Sequence, residues 1–300
     1  MTRSRQSHLI SDGLILLTAI LWGMGFSFQK HAMLYLGPFQ FIFWRFLVSG
    51  IFALLIFLLA NKGNMSFLWS KNIRQGGFLL GIVFFLGALT QQVGVIHTSI
   101  ANAGFITATY VIIVPILLIG RGTKTSISHW MLTLLALVGL LLINGVKSLS
   151  FDNYLGDALL LISAICWALH MIMSRKFGKN QSFNWLLALI IWQSLLCSGL
   201  SFLVFLVSPE QWGMANLNLA WQDIVYAGVI SAFIANFLQI LALAKANPKH
   251  AAILFSTESI FAAIFGWLWL EEIMTFGAMI GGSLIVVSGI ISQLLLIKAR

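Results

Sequence analysis

A carboxyl group stands deep inside an apolar stretch near the end of the chain. Glu258 lies about ten residues into the run 249–270, far from both of its ends. Ionisable residues in such places are costly and commonly mark a substrate or ion pathway. A carboxyl group in an apolar setting can exchange a proton in the physiological range and so couple proton movement to a substrate. We expect this role; the alternative is a hydrogen-bonded glutamic acid that only joins helices.

A histidine occupies the middle of another apolar run, 154–175. His170 follows Trp167 by about one helical turn. An imidazole can relay protons or sense pH, and the alternative is a packed, hydrogen-bonded side chain. No second histidine or acid stands at ligand spacing on the same helix, so the sequence predicts no metal site.

The cysteines, Cys166 and Cys197, lie in apolar runs, which favours small apolar fillers over a disulfide framework.

Helical spacing places further aromatic and polar side chains on shared faces. Aromatic walls with a few polar anchors are typical of small-molecule sites. Asn and Gln can instead bridge helices, and Trp can lie in a core or at the membrane interface. The residues that we predict to line one central cavity are Trp22, Phe26 and Gln29; Asn102, Phe105 and Thr109; Trp167, His170 and Met171; Asn236 and Gln239; Phe255 and Glu258; and Gln91.

Two further residues have a predicted structural role. Arg45 stands about a turn and a half into the run 38–60. It could attract an anionic substrate, but a long side chain so near a helix end can reach the lipid headgroups, and we favour that interpretation. Pro115 removes one backbone hydrogen bond inside the run 98–120, which predicts a kink at that point.

These residues must be positioned by membrane-spanning helices. The chain has 300 residues, of which 60% are hydrophobic and only 8% charged, with a mean hydropathy of +0.97. Soluble domains carry about 25% charged residues, so these values exclude a cytosolic enzyme and a secreted disulfide scaffold. Strand-like alternation is absent, so the apolar runs are predicted to be helices. The ten runs are 12–30, 38–60, 74–95, 98–120, 126–145, 154–175, 183–207, 222–244, 249–270 and 274–297.

The distribution of basic residues predicts the orientation. With ten spans, both termini lie on one side, and 14 of the 17 Lys and Arg residues fall there. Basic residues are enriched on the cytoplasmic side of membrane proteins, so both termini are predicted to be cytoplasmic. The net charge of +9 is then explained without nucleic acid as a partner.

The two halves of the chain repeat each other. The segments Asp12–Trp22 and Asp157–Trp167 align at a spacing of 145 residues, and Trp44 and Gln91 match Trp192 and Gln239 at a spacing of 148. Because five spans are an odd number, the second half enters the membrane from the opposite side. We predict two inverted five-helix repeats, 1–147 and 148–300, around a central cavity.

The order of these motifs resembles the EamA family of the drug/metabolite transporter superfamily. Ser259 stands where that family often has proline, which removes the residue expected to break the helix after Glu258. The motifs that carry the resemblance are Leu21-Trp22-Gly23, Arg45-Phe46, Gln91-Gln92-Val93-Gly94, the stretch Thr98 to Thr107, the stretch Ser256 to Ala263, and Gly266 to Glu272.

The resemblance implies a transporter that moves amino acids, metabolites or drugs outward across a bacterial inner membrane. We expect alternating access with proton coupling, no catalytic residues and no cofactor. The expected partners are the small-molecule substrate, protons and membrane lipid, and a monomer is sufficient. A lipid-linked sugar flippase of the same fold is one alternative. An integral-membrane enzyme is another, but the eight acids are too dispersed for a metal-held diphosphate.

Overall fold

The structure is entirely helical in the part of the chain that it describes. This computed structural model describes residues 3–97, 100–144, 154–210, 213–270 and 274–298. The first half comprises α1 (Arg3–Ala32), α2 (Pro38–Ala60), a short 3-10 helix (Ser66–Trp69), α3 (Lys71–His97), α4 (Ile100–Ala108), α5 (Tyr110–Ile119) and α6 (Ile127–Asn144). The second comprises α7 (Tyr154–Gly178), α8 (Phe183–Val207), α9 (Met214–Val225), a π-helix (Tyr226–Ala235), α10 (Asn236–Leu243), α11 (Pro248–Phe255), α12 (Glu258–Leu270) and α13 (Phe276–Lys298).

These helices form ten membrane spans, as the hydropathy pattern predicts. Within the described ranges, eight helical stretches are long and apolar enough to cross a membrane, and two apolar stretches are shorter, Ala103–Ile119 and Ile127–Ile143. The second and seventh spans begin and end where the sequence predicts. The first helix is longer than predicted and starts at Arg3.

The fourth and ninth spans are both interrupted near their middle. The fourth span breaks between α4 and α5, and the ninth breaks between α11 and α12. At each break a threonine hydroxyl donates to the carbonyl oxygen three residues earlier: Thr109 to Ile106 at 2.5 Å, and Thr257 to Leu254 at 2.7 Å. Such side-chain hydrogen bonds compete with those of the helix backbone. The two breaks therefore share one local hydrogen-bond pattern.

The positions of these breaks correct two expectations. The kink predicted at Pro115 is in the wrong place, because α5 continues through the proline and the interruption lies at Thr109. The ninth span does break although Ser259 replaces a proline, and the break precedes Glu258. Glu258 is consequently the first residue of α12.

The eighth span changes helix type at its centre. The π-helix Tyr226–Ala235 separates α9 from α10. π-helical turns are rare and are frequently found at functional sites. Here the π-helix contains Ser231, and its last residue precedes Asn236.

Matched hydrogen bonds show that the two halves are related by an inverted repeat. Ser163 on the sixth span donates to the carbonyl oxygen of Gly87 on the third at 2.9 Å. The equivalent Thr18 on the first span lies 3.5 Å from the carbonyl oxygen of Ala235 on the eighth. The hydroxyl residues are 145 apart and the acceptors 148 apart, which are the spacings of the sequence repeat.

The two halves pack against each other through contacts that the repeat relates. The second span packs against the seventh, the third against the sixth, the first against the eighth and the fifth against the tenth. At the last of these contacts, Gly281 meets the carbonyl oxygen of Gly139 so closely that a Cβ there would overlap it. The outer face of the bundle exposes large apolar side chains such as Leu59, Met131 and Leu203, as expected for contact with lipid.

Candidate functional site

A cavity of about 60 Å³ lies between the two halves at the level of the helix breaks. Aromatic walls with a few polar groups, as found here, are typical of small-molecule sites. The residues that line it are Trp22, Phe26, Gln29, Arg45, Phe84, Gln91, Thr107, Tyr110, Trp167, Met171, Ser231, Asn236, Gln239 and Glu258.

Glu258 enters this cavity next to the break in the ninth span. Its side chain is 6% exposed, and the Tyr110 hydroxyl donates to its Oε1 at 3.0 Å. Tyr110 is the first residue after the break in the fourth span. The two residues are 148 apart, so equivalent positions of the two repeats are joined by one hydrogen bond at the centre of the molecule.

Ser231 in the π-helix accepts hydrogen bonds from three polar side chains of the cavity wall. Its hydroxyl accepts from Nη2 of Arg45 at 2.9 Å. Its carbonyl oxygen accepts from Nε1 of Trp22 and from Nδ2 of Asn236, each at 3.2 Å. Arg45 therefore points into the cavity and not towards lipid headgroups, which corrects the interpretation made from its position near a helix end.

Several polar atoms of the cavity wall are buried without a hydrogen-bond partner among the described residues. They are Nε of Arg45, Oγ1 of Thr107, Oδ1 of Asn236 and Oε1 of Gln239. An unsatisfied buried polar atom costs about 1–3 kcal/mol. A bound solute that accepts a hydrogen bond from Arg45 and donates to the amide oxygens would remove this cost.

Aromatic rings form the remaining walls, and they follow the repeat. Trp22 of the first span packs on Phe255 with ring centroids 5.6 Å apart. Trp167, its equivalent in the sixth span, packs on Phe84 at 5.2 Å. Both tryptophans line the cavity, each packed on a phenylalanine.

The structure brings nine of the fourteen predicted site residues to the cavity wall: Trp22, Phe26, Gln29, Gln91, Trp167, Met171, Asn236, Gln239 and Glu258. Their role in binding stays a prediction. The side chain of Asn102 is outside the described part of the structure. The remaining four lie away from the wall, for reasons of packing given next.

His170 is fully buried behind the wall, where its Nε2 lies 3.1 Å from Oε1 of Gln193 and its ring packs on Phe84 at 5.0 Å. Phe255 is fully buried behind Trp22. Phe105 packs into an apolar cluster with the fifth and tenth spans. Thr109 uses its hydroxyl within its own helix. The helical faces predict that these residues lie in spans around the cavity. They do not predict whether a side chain lines the cavity or packs behind its wall.

Five lining residues were not predicted as site residues: Arg45, Phe84, Thr107, Tyr110 and Ser231. Tyr110 could have been predicted from the repeat, since it stands 148 residues before Glu258, the spacing that relates Gln91 to Gln239. Ser231 had no such signal, because its exposure to the cavity depends on the π-helix. No cluster of three or more His, Cys, Asp or Glu side chains that could hold a metal occurs in the described ranges.

Towards the end of the bundle that carries both termini, a buried apolar cluster closes the cavity. It joins the first, fourth, sixth, eighth and ninth spans through residues that include Ile15, Val114, Ile172, Leu243 and Ala252. All of these are at most 7% exposed. The cavity is therefore separated from the terminal end of the molecule by a packed layer.

Comparisons with known proteins agree with this architecture. The model of the EamA-like transporter family matches residues 9–145 and 154–293. An uncharacterized transporter of Archaeoglobus fulgidus is 30% identical over 293 residues, covering 96% of this chain and 87% of that protein. The uncharacterized transporter YdfC of Bacillus subtilis is 23% identical over 282 residues, covering 90% of this chain and 86% of that protein. A crystal structure with 18% sequence identity has a TM-score of 0.76 and covers 97% of this chain and 98% of its own, which shows a shared fold.

Proposed function

Because the chain belongs to the EamA-like transporter family, we propose that it is a secondary transporter that exports small organic solutes by alternating access. We further propose that it exchanges a proton at Glu258 during this cycle. Membrane transport follows from the family, and membership argues against an enzyme. The substrate, direction and coupling are the proposed parts.

The position of Glu258 carries the coupling proposal. A carboxyl group at a helix break, 6% exposed and lining the cavity, is close to bound solute and far from bulk water. Its hydrogen bond from Tyr110 bridges the two repeats, so a change in its charge alters a contact between them. Proton relays in transporters are built from such intramembrane acids.

The chemistry of the cavity supports solutes of amino-acid type. Arg45 offers an N–H to an anionic group, while Glu258 and the open amide oxygens of Asn236 and Gln239 offer acceptors to an ammonium group. Aromatic rings suit an apolar side chain between them.

Alternating access is supported by the repeat itself. Inverted halves around a central site commonly rock against each other, and their broken helices commonly line that site. Here the fourth and ninth spans break at equivalent residues, Thr109 and Thr257. No Gly-x-x-x-x-Gly-Lys-Ser/Thr pattern occurs in the sequence, so solute or proton gradients supply the proposed energy.

Counterflow in liposomes tests both parts of this proposal. Purified protein is reconstituted and supplied with labelled amino acids or amphipathic cations, with and without a proton gradient. We expect saturable counterflow that accelerates with the gradient in the wild type. Lack of counterflow for every member of both classes would refute the substrate proposal.

Glu258→Gln separates transport from coupling, since it keeps the shape of the side chain and removes its titration. We expect this variant to retain counterflow and lose the dependence of its rate on pH. The matched control is Glu271→Gln, which changes the next acid in the sequence. A pH dependence in Glu258→Gln equal to that of the control would refute proton exchange at this residue.

A further inference from the structure

A second, polar cleft lies at the end of the bundle that carries both termini, well away from the central cavity. It measures about 390 Å³ and lies between the segment before α6, the start of α11 and the end of α13. Basic and hydroxyl side chains line it, among them Lys124, His129, Lys249, His250 and Ser292, and none of its lining residues is acidic.

Lys249 is the central cation of this cleft. Its side chain is only 9% exposed, although lysine is rarely buried without a charged partner. Its Nζ donates to the carbonyl oxygen of Lys124 at 2.8 Å and to Oγ1 of Thr125 at 2.6 Å, both neutral acceptors. An ammonium group has three N–H donors. One donor and the full charge are therefore available to an anion.

The two histidines of the cleft differ in their hydrogen-bond partners. His250 is held by Ser292, 2.8 Å from its Nδ1, and by Asp12, 3.2 Å from its Nε2. The second contact occupies a carboxyl group beside His250. His129 lines the cleft, and its Nε2 is buried without a hydrogen-bond partner in the described part of the chain. A rotation of the ring would bring this nitrogen to a ligand in the cleft.

Backbone groups add to the positive potential. α6 begins at Ile127 and α11 begins at Pro248, both at the edge of the cleft. The positive end of a helix dipole favours anions such as phosphate. One N–H in each first turn already has a partner: that of His129 donates to Oγ of Ser126 at 3.2 Å, and that of Lys249 donates to Oδ1 of Asn247 at 3.0 Å. Ser126 and Ser128 provide further hydroxyl donors beside the start of α6.

We propose that this cleft is a binding site for a phosphate group, supplied either by the headgroup of an anionic lipid or by a soluble phosphate. The site lies one packed layer away from the transport cavity and does not depend on the proposed transport function. Two apolar side chains also line the cleft, the buried Leu132 and the exposed Leu295.

Calorimetric titration of the purified full-length protein in a neutral detergent tests the site. The ligands are inorganic phosphate, dioctanoyl phosphatidylglycerol and, as a phosphate-free lipid, dioctanoylglycerol. We expect binding of at least one phosphate compound and no binding of dioctanoylglycerol. Tighter binding of phosphatidylglycerol than of inorganic phosphate identifies the lipid headgroup as the source, and equal or weaker binding identifies a soluble phosphate. Failure of both phosphate compounds to bind overturns the proposal.

Variants locate the binding. Loss of a hydrogen bond to a charged group weakens binding by about tenfold or more, which we expect for Lys249→Gln and for His129→Gln. Lys124→Gln removes a charge but keeps the backbone carbonyl that holds Lys249, so it serves if Lys249→Gln does not fold. Lys179→Gln removes an exposed charge outside the cleft and is the matched control. An affinity unchanged in all cleft variants, or lowered equally in the control, overturns the proposal.

Discussion

Arg45 lines the central cavity, where we predict that it binds the anionic group of a solute. One of its nitrogens is bound to Ser231 at 2.9 Å, and its Nε is buried without a partner in the described ranges. The guanidinium is thus fixed in place with an unused donor. A carboxylate could accept from this donor with good geometry, because arginine presents its N–H groups in a rigid fork.

We expect Arg45→Gln to weaken the binding of amino acids by about tenfold or more, the cost of a lost hydrogen bond to a charged group. Amines of the same size that lack the carboxylate should bind unchanged. Competition against a labelled substrate in the counterflow assay measures both. Arg45→Lys keeps the charge and controls for it. An equal loss for amines and amino acids would show that Arg45 only maintains the structure.

The sequence predicts which residues lie near the cavity. It predicts less well whether their side chains line the cavity or pack behind its wall. Glu258, the tryptophans and the paired glutamines are recognisable because polar and aromatic groups in apolar spans stand out or recur in the repeat. His170 stands out equally, yet it packs behind Phe84 and is bonded to Gln193. Whether a residue faces the cavity or the layer behind it depends on the packing of neighbouring spans, which a single helical pattern does not contain.

At the scale of helices, the equivalent breaks in the fourth and ninth spans are the least predictable feature. Proline is the usual cause of a kink, and Pro115 drew the prediction to the wrong residue. The actual signal is a pair of threonines, Thr109 and Thr257, at the repeat spacing. Threonine is common in spans, so only the repeat alignment together with the structure separates these two from the others.

The contact between the fifth and tenth spans gives a prediction about stability. A Cβ at Gly281 would overlap the carbonyl oxygen of Gly139, whereas a Cβ at the adjacent Gly282 would lie 3.6 Å from Ile260. Overpacking commonly costs about 1–3 kcal/mol. We expect Gly281→Ala to lower the thermal unfolding midpoint in detergent.

Gly282→Ala is the matched control and should unfold at or above the temperature of the wild type, since alanine favours helix over glycine. If both variants unfolded at the same temperature, close approach of the backbones at Gly281 would not contribute to stability.

Across the whole molecule, acidic and basic residues are distributed unequally between the two ends of the bundle. Two acids at the end opposite the termini have local partners: Glu210 accepts from the backbone N–H of Phe39 and Gln40 at the start of α2, and Asp223 lies 2.8 Å from Nδ1 of His31. Most basic residues lie at the terminal end. This asymmetry predicts orientation in the membrane.

We expect both termini to be cytoplasmic. A fluorescent protein fused after Arg300 should fold and fluoresce in bacterial cells, and alkaline phosphatase inserted after Val207 should be active, because that enzyme requires the periplasm. Insertion of alkaline phosphatase after Ile119 gives the internal control and should be inactive. The reversed pattern of activities would show that the charge asymmetry does not set the orientation of this chain.

Hydropathy and charge were sufficient to predict the number of spans and the division into halves, because each span needs about 20 apolar residues whatever its neighbours are. The boundary at 147/148 stays a prediction, and residues 145–153 lie outside the described ranges. The π-helix was not predictable, since its extra residue per turn depends on contacts around Ser231 that come from other spans.

The hydrogen bond between Tyr110 and Glu258 has a consequence for how such a molecule can arise. The two residues occupy equivalent positions, so a homodimer of a half-sized chain would place either two phenols or two carboxyls there. Two carboxyls so close must share a proton, and two phenols have no acid to titrate. A donor that faces an acceptor requires two unlike halves, and duplication of the gene for one half lets each copy mutate alone. Covalent fusion then ensures that the phenol of one half always meets the carboxyl of the other.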